Sequence, residues 1–166
     1  LGQLQDAGNA TTIAHYLKLL GEAGLVRGIE KFYEEEVRVK ASSPKLAVCN
    51  NALLTALSPY SFDEIRSRSD IWGHFVESAI GAHLQATAKS KNVDILYWNV
   101  GCKEVDYVLR KGSELAAIEV KSGSVEDISG MKEFLKKYPR TKTYLVGGPG
   151  MAYENFFNRT AADFLA

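Results

Sequence analysis

An aspartate and a Glu-x-Lys tripeptide lie on two neighbouring strand-like segments and carry side chains that could bind a divalent cation. Asp106 lies in the first segment, and Glu119 and Lys121 lie in the second. The loop between them contains Gly112 and Ser113, and glycine in the first position of a two-residue loop predicts a type II′ hairpin turn. Pairing of the strands through this turn places Asp106 opposite Glu119.

Two opposed carboxylates destabilise a hairpin unless a proton or a positive charge compensates for their repulsion. Lys121 alongside would supply such a charge, and so would a divalent cation bound by Asp106 and Glu119. The other interpretation is a solvated face, on which Glu104 pairs with Lys121 across the strands and the acids point at water. Spacing alone leaves both interpretations open, and a one-residue bulge would move one strand's side chains to the other face.

The hairpin must be positioned by a larger sheet. The order helix, three strands, helix, strand predicts an α/β domain with a mixed sheet flanked by helices. We expect these elements over residues 70–89, 95–100, 104–110, 115–120, 125–138 and 143–146. A short helix over 50–57 and a loop over 59–68 precede them, and a turn over 147–150 follows. Alternation along the hairpin assigns the core face to Val105, Tyr107, Leu109, Ala116, Ile118 and Val120.

The composition changes near residue 44, and the residues before it predict a different element order. Asn9 or Thr11 can cap a helix with an i, i+4, i+7 apolar stripe. Strand-like segments follow over 25–33, 37–40 and 45–48. This order is typical of a winged helix-turn-helix, incomplete here because we expect the chain to be a fragment of a longer protein. Residues 1–48 are predicted as this partial winged helix and 49–166 as the second domain.

Charge and cysteine content exclude several function classes. Lys and Arg number 20 and Asp and Glu number 20, so the net charge is zero, which argues against coating of nucleic acid or anionic membrane by bulk charge. Two cysteines cannot build a disulfide framework, so we expect a reducing compartment and a cytoplasmic location. No apolar segment approaches transmembrane length, and we expect no membrane partner.

The chemistry-bearing residues resemble the active-site pattern of the PD-(D/E)XK nuclease superfamily, which has the restriction-endonuclease-like fold. Asp106 followed by Glu119-Val120-Lys121 on the next strand matches that pattern, although Val105 stands where a proline can precede the aspartate. The resemblance implies a further glutamate from a preceding helix, and Glu77 is the matching position. It implies that Asp106, Glu119 and Lys121 are catalytic and that Asp106, Glu119 and Glu77 bind Mg²⁺ or Mn²⁺.

A longer set of segments resembles a narrower family, the C-terminal domain of unknown function attached to bacterial and archaeal AAA-type P-loop ATPases. The set covers nearly the whole chain and comprises residues 4–9, 43–46, the helix around Glu77, 104–106 and 118–123. The resemblance implies that the partner is an upstream P-loop ATPase domain of the same protein. No G-x-x-x-x-G-K-[ST] motif occurs in this sequence, so we expect no ATP site in it.

Two stretches offer contacts for DNA or another nucleic acid. Thr11, Thr12 and Lys18 lie on the exposed side of the N-terminal helix, and Lys136 and Lys137 lie in a basic stretch. Packing against the ATPase also accounts for the first set, and a solvated helix face also accounts for the second. Three functions therefore stay open: Mg²⁺-dependent hydrolysis of nucleic-acid phosphodiesters, a non-catalytic nucleic-acid or protein docking platform for the ATPase, and an oligomerisation domain.

Overall fold

The chain builds a mixed sheet with helices packed against both of its faces. The computed structural model describes residues 10–33, 44–123 and 127–166. In chain order, its helices and strands are α1 (Ala10–Glu22), β1 (Val26–Lys31), β2 (Lys45–Val48), α2 (Ala52–Leu57), α3 (Phe62–Ser67), α4 (Ser69–Ala88), β3 (Asp94–Val100), β4 (Lys103–Lys111), β5 (Glu114–Val120), α5 (Ser129–Lys137), β6 (Lys142–Val146) and α6 (Tyr153–Phe157). Short 3₁₀ turns at Lys89–Lys91 and Ala161–Phe164 follow α4 and α6.

The six strands lie in the order β2-β1-β3-β4-β5-β6 across the sheet. β1 runs parallel to β3 and β5 runs parallel to β6, whereas the other neighbouring strands are antiparallel. This arrangement confirms the predicted α/β class and the mixed sheet flanked by helices. The finer assignment to the restriction-endonuclease-like fold stays a prediction.

Helix α4, which is 20 residues long, covers one face of the sheet. Its residues Val76, Ile80 and Leu84 recur at four-residue intervals, so they form one apolar stripe, and they are buried against Tyr107 and Ile118. Among the described residues, no helix combines the length and the apolar content that crossing a membrane requires.

Helix α5 covers the other face of the sheet. Phe134 packs edge-on against Trp98, with ring centroids 5.4 Å apart, and Val108 and Ala117 belong to the same buried cluster. Because Val108 and Ala117 are fully buried, the second face of the hairpin is also part of the core in its central portion. The interpretation of this second face as solvated is therefore wrong for its central portion.

The helix and the strand pair predicted near the N-terminus are present. α1 spans Ala10–Glu22, and β1 pairs with β2 in antiparallel register from Val26↔Val48 to Ile29↔Lys45. The strand predicted over 37–40 lies outside the described residues. The strand pair is continuous with the main sheet, because β1 also pairs with β3. The assignment of this segment to a winged helix stays a prediction.

The predicted loop over residues 59–68 is wrong, because six of its residues form helix α3. The Ser61 side chain accepts a hydrogen bond from the backbone N–H of Glu64, and Glu64 Oε2 accepts one from the Ser61 backbone N–H at 2.8 Å. This capping box satisfies amide groups that the first helical turn leaves free, and it stabilises a helix too short to persist alone.

The predicted hairpin and its register are confirmed along most of its length. β4 and β5 pair from Lys111↔Glu114 to Tyr107↔Ile118. Gly112 has φ 59°, the left-handed value that the first position of a type II′ turn requires, and Ser113 is not in that region. A glycine at this position adopts the turn without the steric penalty of a side chain.

A β-bulge interrupts β4 before the hairpin reaches its acidic end. Leu96 pairs with Val108 but Trp98 pairs with Val105, so β4 contains one extra residue at this point. Val105 consequently packs in the α5-side cluster together with Val108, whereas Tyr107 packs on the α4 side. The prediction that Val105 and Tyr107 share one face is therefore wrong, because a bulge reverses the alternation beyond it.

Candidate functional site

The carboxylate of Asp106 takes the place of a backbone acceptor between β4 and β5. The described ladder of backbone pairs between these strands ends at Tyr107↔Ile118, so the predicted pairs Asp106–Glu119 and Glu104–Lys121 are not formed. Instead, the backbone N–H of Val120 donates to Asp106 Oδ2 at 2.8 Å. The bulge thus turns the Asp106 side chain towards β5 rather than perpendicular to the sheet.

Four carboxylates gather at this end of the sheet, and we call them the acidic cluster: Glu77 of α4, Glu104 and Asp106 of β4, and Glu119 of β5. Burial raises the pKa of Asp106 to about 7, and the negative charges of Glu119 and Glu77 contribute to this rise. Burial also raises the pKa of Glu119, against the opposing effect of Lys121. The cluster therefore favours any cation that can approach it.

Glu119 is a deeply buried carboxylate of the cluster, and one of its two oxygens has no hydrogen-bond partner among the described residues. Its side chain is 8% exposed, and Oε1 accepts a hydrogen bond from Lys121 Nζ at 2.8 Å. Oε2 is buried and has no hydrogen-bond partner among the described residues. An unpaired buried carboxylate oxygen costs free energy, so this atom is suited to a ligand that the protein alone does not supply.

The backbone of Lys121 is held by the strand and turn that follow. Its N–H donates to the carbonyl of Val146 at 2.8 Å, and its carbonyl accepts a hydrogen bond from Tyr153 Oη at 3.0 Å. Gly147, at φ 77°, lies so close to the Lys121 carbonyl that a Cβ at position 147 would collide with it. The turn over 147–150 was predicted, but its contact with Lys121 has no local sequence signal.

Glu77 is positioned by Tyr107, a residue that sequence analysis assigned only to the core. Tyr107 Oη donates to the backbone carbonyl of Glu77 at 2.9 Å. Gly81, one turn further along α4, makes room for this phenol, because a Cβ at position 81 would collide with Tyr107 Oη. The placement of Glu77 near Asp106 agrees with the expectation from the resemblance.

Lys45 of β2 is a cation of the site that sequence analysis missed. Its Nζ lies 2.7 Å from Glu77 Oε1 and 3.2 Å from Glu104 Oε1. Burial lowers the pKa of Lys45, but the hydrogen bond and charge of Glu77 and the charge of Glu104 together raise it to about 12. The contact joins residues far apart in the chain, so only the packing of β2 against α4 shows it.

The donor set suits a hard divalent cation, although its members are occupied in this structure. Asp106, Glu119 and Glu77 offer oxygen ligands, which Mg²⁺ and Mn²⁺ prefer, and Glu119 Oε2 is unpaired. Among residues 10–33, 44–123 and 127–166, however, no three Asp, Glu, His or Cys side chains are arranged to hold a metal ion. Lys45 engages Glu77 and Lys121 engages Glu119, so binding requires those carboxylates to reorient.

The residues predicted to contact nucleic acid make their interactions away from the acidic cluster. Lys18 lies 3.8 Å from Glu22 on α1, and Lys136 Nζ lies 2.8 Å from a Glu133 oxygen on α5. Lys137 lies over the Trp98 ring, 6.0 Å from its centroid. Thr12 is exposed, and the side chain of Thr11 lies outside the described part of the structure. The structure thus does not join these residues into one surface with the acids.

The fold and the cluster define a mixed α/β domain with a buried acidic site at one end of its sheet. The family model described as "Domain of unknown function (DUF4143)" matches residues 72–159, and the chain belongs to this family. This match is consistent with the predicted domain of unknown function of ATPase-associated proteins. No curated protein and no solved structure matches the chain. The matched span includes Glu77, Asp106, Glu119 and Lys121 but not Lys45.

Proposed function

We propose that the acidic cluster is the active site of a divalent-metal-dependent hydrolase of nucleic-acid phosphodiesters. The observation that carries this proposal is the proximity of Asp106, whose pKa is raised to about 7, to the buried carboxylate of Glu119, whose Oε2 has no hydrogen-bond partner among the described residues. Two such carboxylates near each other destabilise the folded chain unless a proton or a cation compensates for their repulsion. A divalent cation is the ligand that offsets it most directly.

Asp106, Glu119 and Glu77 are the residues that would hold Mg²⁺ or Mn²⁺. When bound, such a cation supplies Lewis-acid polarisation of a phosphate oxygen and lowers the pKa of a water molecule. The Val120 amide donates a hydrogen bond to Asp106, so it holds this β4 carboxylate beside β5, the strand that carries Glu119. Tyr107 fixes the backbone of the third residue, Glu77.

Lys121 supplies positive charge where the phosphate develops negative charge. Although burial lowers the pKa of Lys121, its hydrogen bond to Glu119 and the nearby acids raise it, so the ammonium stays protonated at neutral pH. A protonated lysine can donate to a phosphate oxygen in the transition state but cannot act as a base. The attacking water therefore loses its proton to solvent or to a carboxylate of the cluster.

Nicking of supercoiled plasmid in Mn²⁺ tests the proposal. The unmodified chain should convert the plasmid to the open circle, and Glu119→Gln should lose this activity. Glu133→Gln, a carboxylate paired with Lys136 on α5 and outside the cluster, is the matched control and should retain it. Equal nicking by Glu119→Gln, or none by the unmodified chain, would contradict the proposal.

A second candidate function is a docking platform for the upstream ATPase domain that the resemblance implies. An apolar groove of about 290 Å³ lies between α2, α3, α4 and α6, and its lining includes Phe62, Trp72 and Phe157. Phe62 is 60% exposed and the neighbouring Leu57 is 84% exposed, and exposed apolar patches of this kind mark interaction surfaces. Phe62→Ser should weaken binding to the ATPase domain, whereas Leu46→Ser on the edge strand β2 should not.

A further inference from the structure

One lysine binds two members of the acidic cluster from a strand at the edge of the sheet. Lys45 Nζ lies 2.7 Å from Glu77 Oε1 and 3.2 Å from Glu104 Oε1. Its side chain is 34% exposed, and the side chains of Glu77 and Glu104 are 25% and 47% exposed. The ammonium is thus held at the mouth of the cluster, between a helix residue and a strand residue.

We propose that Lys45 is a resident cation of the acidic cluster, in addition to Lys121 on Glu119, and that a divalent metal ion must displace Lys45 from Glu77 in order to bind. The inference rests on the proposed function, because it concerns the metal site of that function. The Lys45 ammonium would compete with the metal ion for Glu77, and this competition would raise the metal concentration needed to fill the site.

The geometry supports competition rather than coexistence. Lys45 occupies Oε1 of Glu77, the carboxylate that would complete a three-residue ligand set with Asp106 and Glu119. An ammonium and a divalent cation on the same carboxylate would repel each other at close range. No three Asp, Glu, His or Cys side chains of the described residues are arranged to hold a metal ion, and buried Glu119 Oε2 has no partner among those residues. Release of Glu77 supplies the missing ligand.

The exposure of Lys45 makes its release feasible. A lysine side chain has a flexible four-carbon stem, so its ammonium can move into water while the β2 backbone stays paired with β1. A divalent cation that approaches Glu77 can therefore take the place of the ammonium while the fold of β2 is unchanged.

Titration with Mn²⁺, followed by calorimetry or by the loss of the free-ion electron paramagnetic resonance signal, tests the inference. Lys45→Met should bind Mn²⁺ about tenfold more tightly than the unmodified chain, because the competitor is gone. Lys103→Met is the matched control, since Lys103 precedes Glu104 in the chain but its Nζ contacts Ser129 Oγ at 2.7 Å. Lys103→Met removes the same charge as Lys45→Met, and its affinity for Mn²⁺ should differ from that of the unmodified chain by less than about twofold.

If Lys45→Met does not fold, other Lys45 variants and a measurement on the unmodified chain still test the inference. Lys45→Gln should also tighten Mn²⁺ binding, whereas Lys45→Arg should not. In the unmodified chain, a lysine-selective nuclear magnetic resonance experiment should show the Lys45 ammonium signal shifting towards that of a solvated lysine as Mg²⁺ is added.

The outcomes separate this inference from the proposed function. Equal or weaker Mn²⁺ binding by Lys45→Met and Lys45→Gln, compared with the unmodified chain, overturns the role of Lys45 and leaves the metal site standing. No Mn²⁺ or Mg²⁺ binding by any of the variants or by the unmodified chain overturns the proposed metal site, and the inference falls with it.

Discussion

The backbone N–H of Val120 donates a hydrogen bond to Oδ2 of Asp106 at 2.8 Å, so a side chain replaces a strand-to-strand backbone contact. Val120 lies between Glu119 and Lys121. The two strands of the hairpin are therefore joined at the acidic end through a carboxylate of the proposed site. Any change that removes an acceptor from position 106 alters both the hairpin and the site, so isosteric substitutions are the informative ones.

We expect Asp106→Asn to flatten the dependence of folding stability on pH. The pKa of Asp106 is about 7 in the folded chain against an ordinary value of 3.8, so the folded state binds this proton more tightly than the unfolded state. The contribution to stability is complete below pH 4 and is lost as the pH rises through 7, by at most about 4 kcal/mol at 1.36 kcal/mol per pKa unit. Asparagine keeps an acceptor for Val120 but does not titrate.

Urea unfolding at pH 5 and at pH 8, with EDTA present, measures this effect. The unmodified chain should lose more free energy of unfolding between the two pH values than Asp106→Asn does. Asp94→Asn, at an exposed carboxylate paired with Arg110, is the control and should follow the unmodified chain. Parallel pH profiles for Asp106→Asn and the unmodified chain would show that Asp106 titrates normally.

Mg²⁺ or Mn²⁺ should raise the melting temperature of the unmodified chain. Binding to the folded state alone stabilises it by about 2.7 kcal/mol at a metal concentration one hundred times the Kd. Asp106→Asn and Glu119→Gln each remove one ligand charge and should abolish the rise. Thermal denaturation across a metal titration checks this, and an equal rise in both variants would place the metal elsewhere on the chain.

Lys121→Met should separate metal binding from cleavage. Lys121 contacts Glu119 through one oxygen, so its removal leaves the carboxylate ligands in place. The rate of plasmid nicking should fall by about a hundredfold or more, as it does when a charge-stabilising donor is removed from other active sites. The Mn²⁺ affinity measured by calorimetry should stay the same or increase. A variant that nicks at the normal rate would remove Lys121 from the reaction.

Gly147→Ala should damage the site through the Lys121 carbonyl. Gly147 and Gly101 both have positive φ, at 77° and 60°, but a Cβ at position 101 would meet no atom within 4 Å. Gly101→Ala therefore measures backbone strain alone, about 1 kcal/mol. Gly147→Ala adds a collision with Lys121 and Tyr153 and should cost about 3 kcal/mol. Urea unfolding measures the loss in free energy of unfolding for both variants. Equal losses would show that the close contact of Gly147 with Lys121 does not affect stability.

The hairpin was predictable because its determinants are local. A glycine in a two-residue loop sets the turn, and the turn sets the register from Lys111↔Glu114 to Tyr107↔Ile118. Helix α3 was missed, although the sequence contains a local signal for it. Ser61 and Glu64 have the spacing of a capping box, which marks the start of a helix. The α/β class followed from the order of the elements.

The composition of the site was predictable only in part. Asp106, Glu119 and Glu77 come together as the resemblance implies, but the bulge between Val105 and Val108 depends on how β3 pairs with β4. No residue type marks it in the sequence. Lys45 contacts Glu77 because β2 pairs with β1 at the edge of the sheet and packs there against α4. A contact between residues so far apart in the chain leaves no periodic pattern in the sequence.

The way in which β1 joins the sheet predicts an order in which the parts of this molecule assemble. The β4–β5 hairpin closes through two residues, whereas Glu30 and Leu96 pair across a segment that includes β2, α2, α3 and α4. Contacts between residues so far apart in the chain cost more chain entropy, and we expect this pairing to form later in folding. β1 makes only two paired positions with β3. We therefore expect the amide hydrogens of the β1–β2 edge to exchange sooner than those of the hairpin, and Lys45 to lose its contact with Glu77 whenever this edge opens.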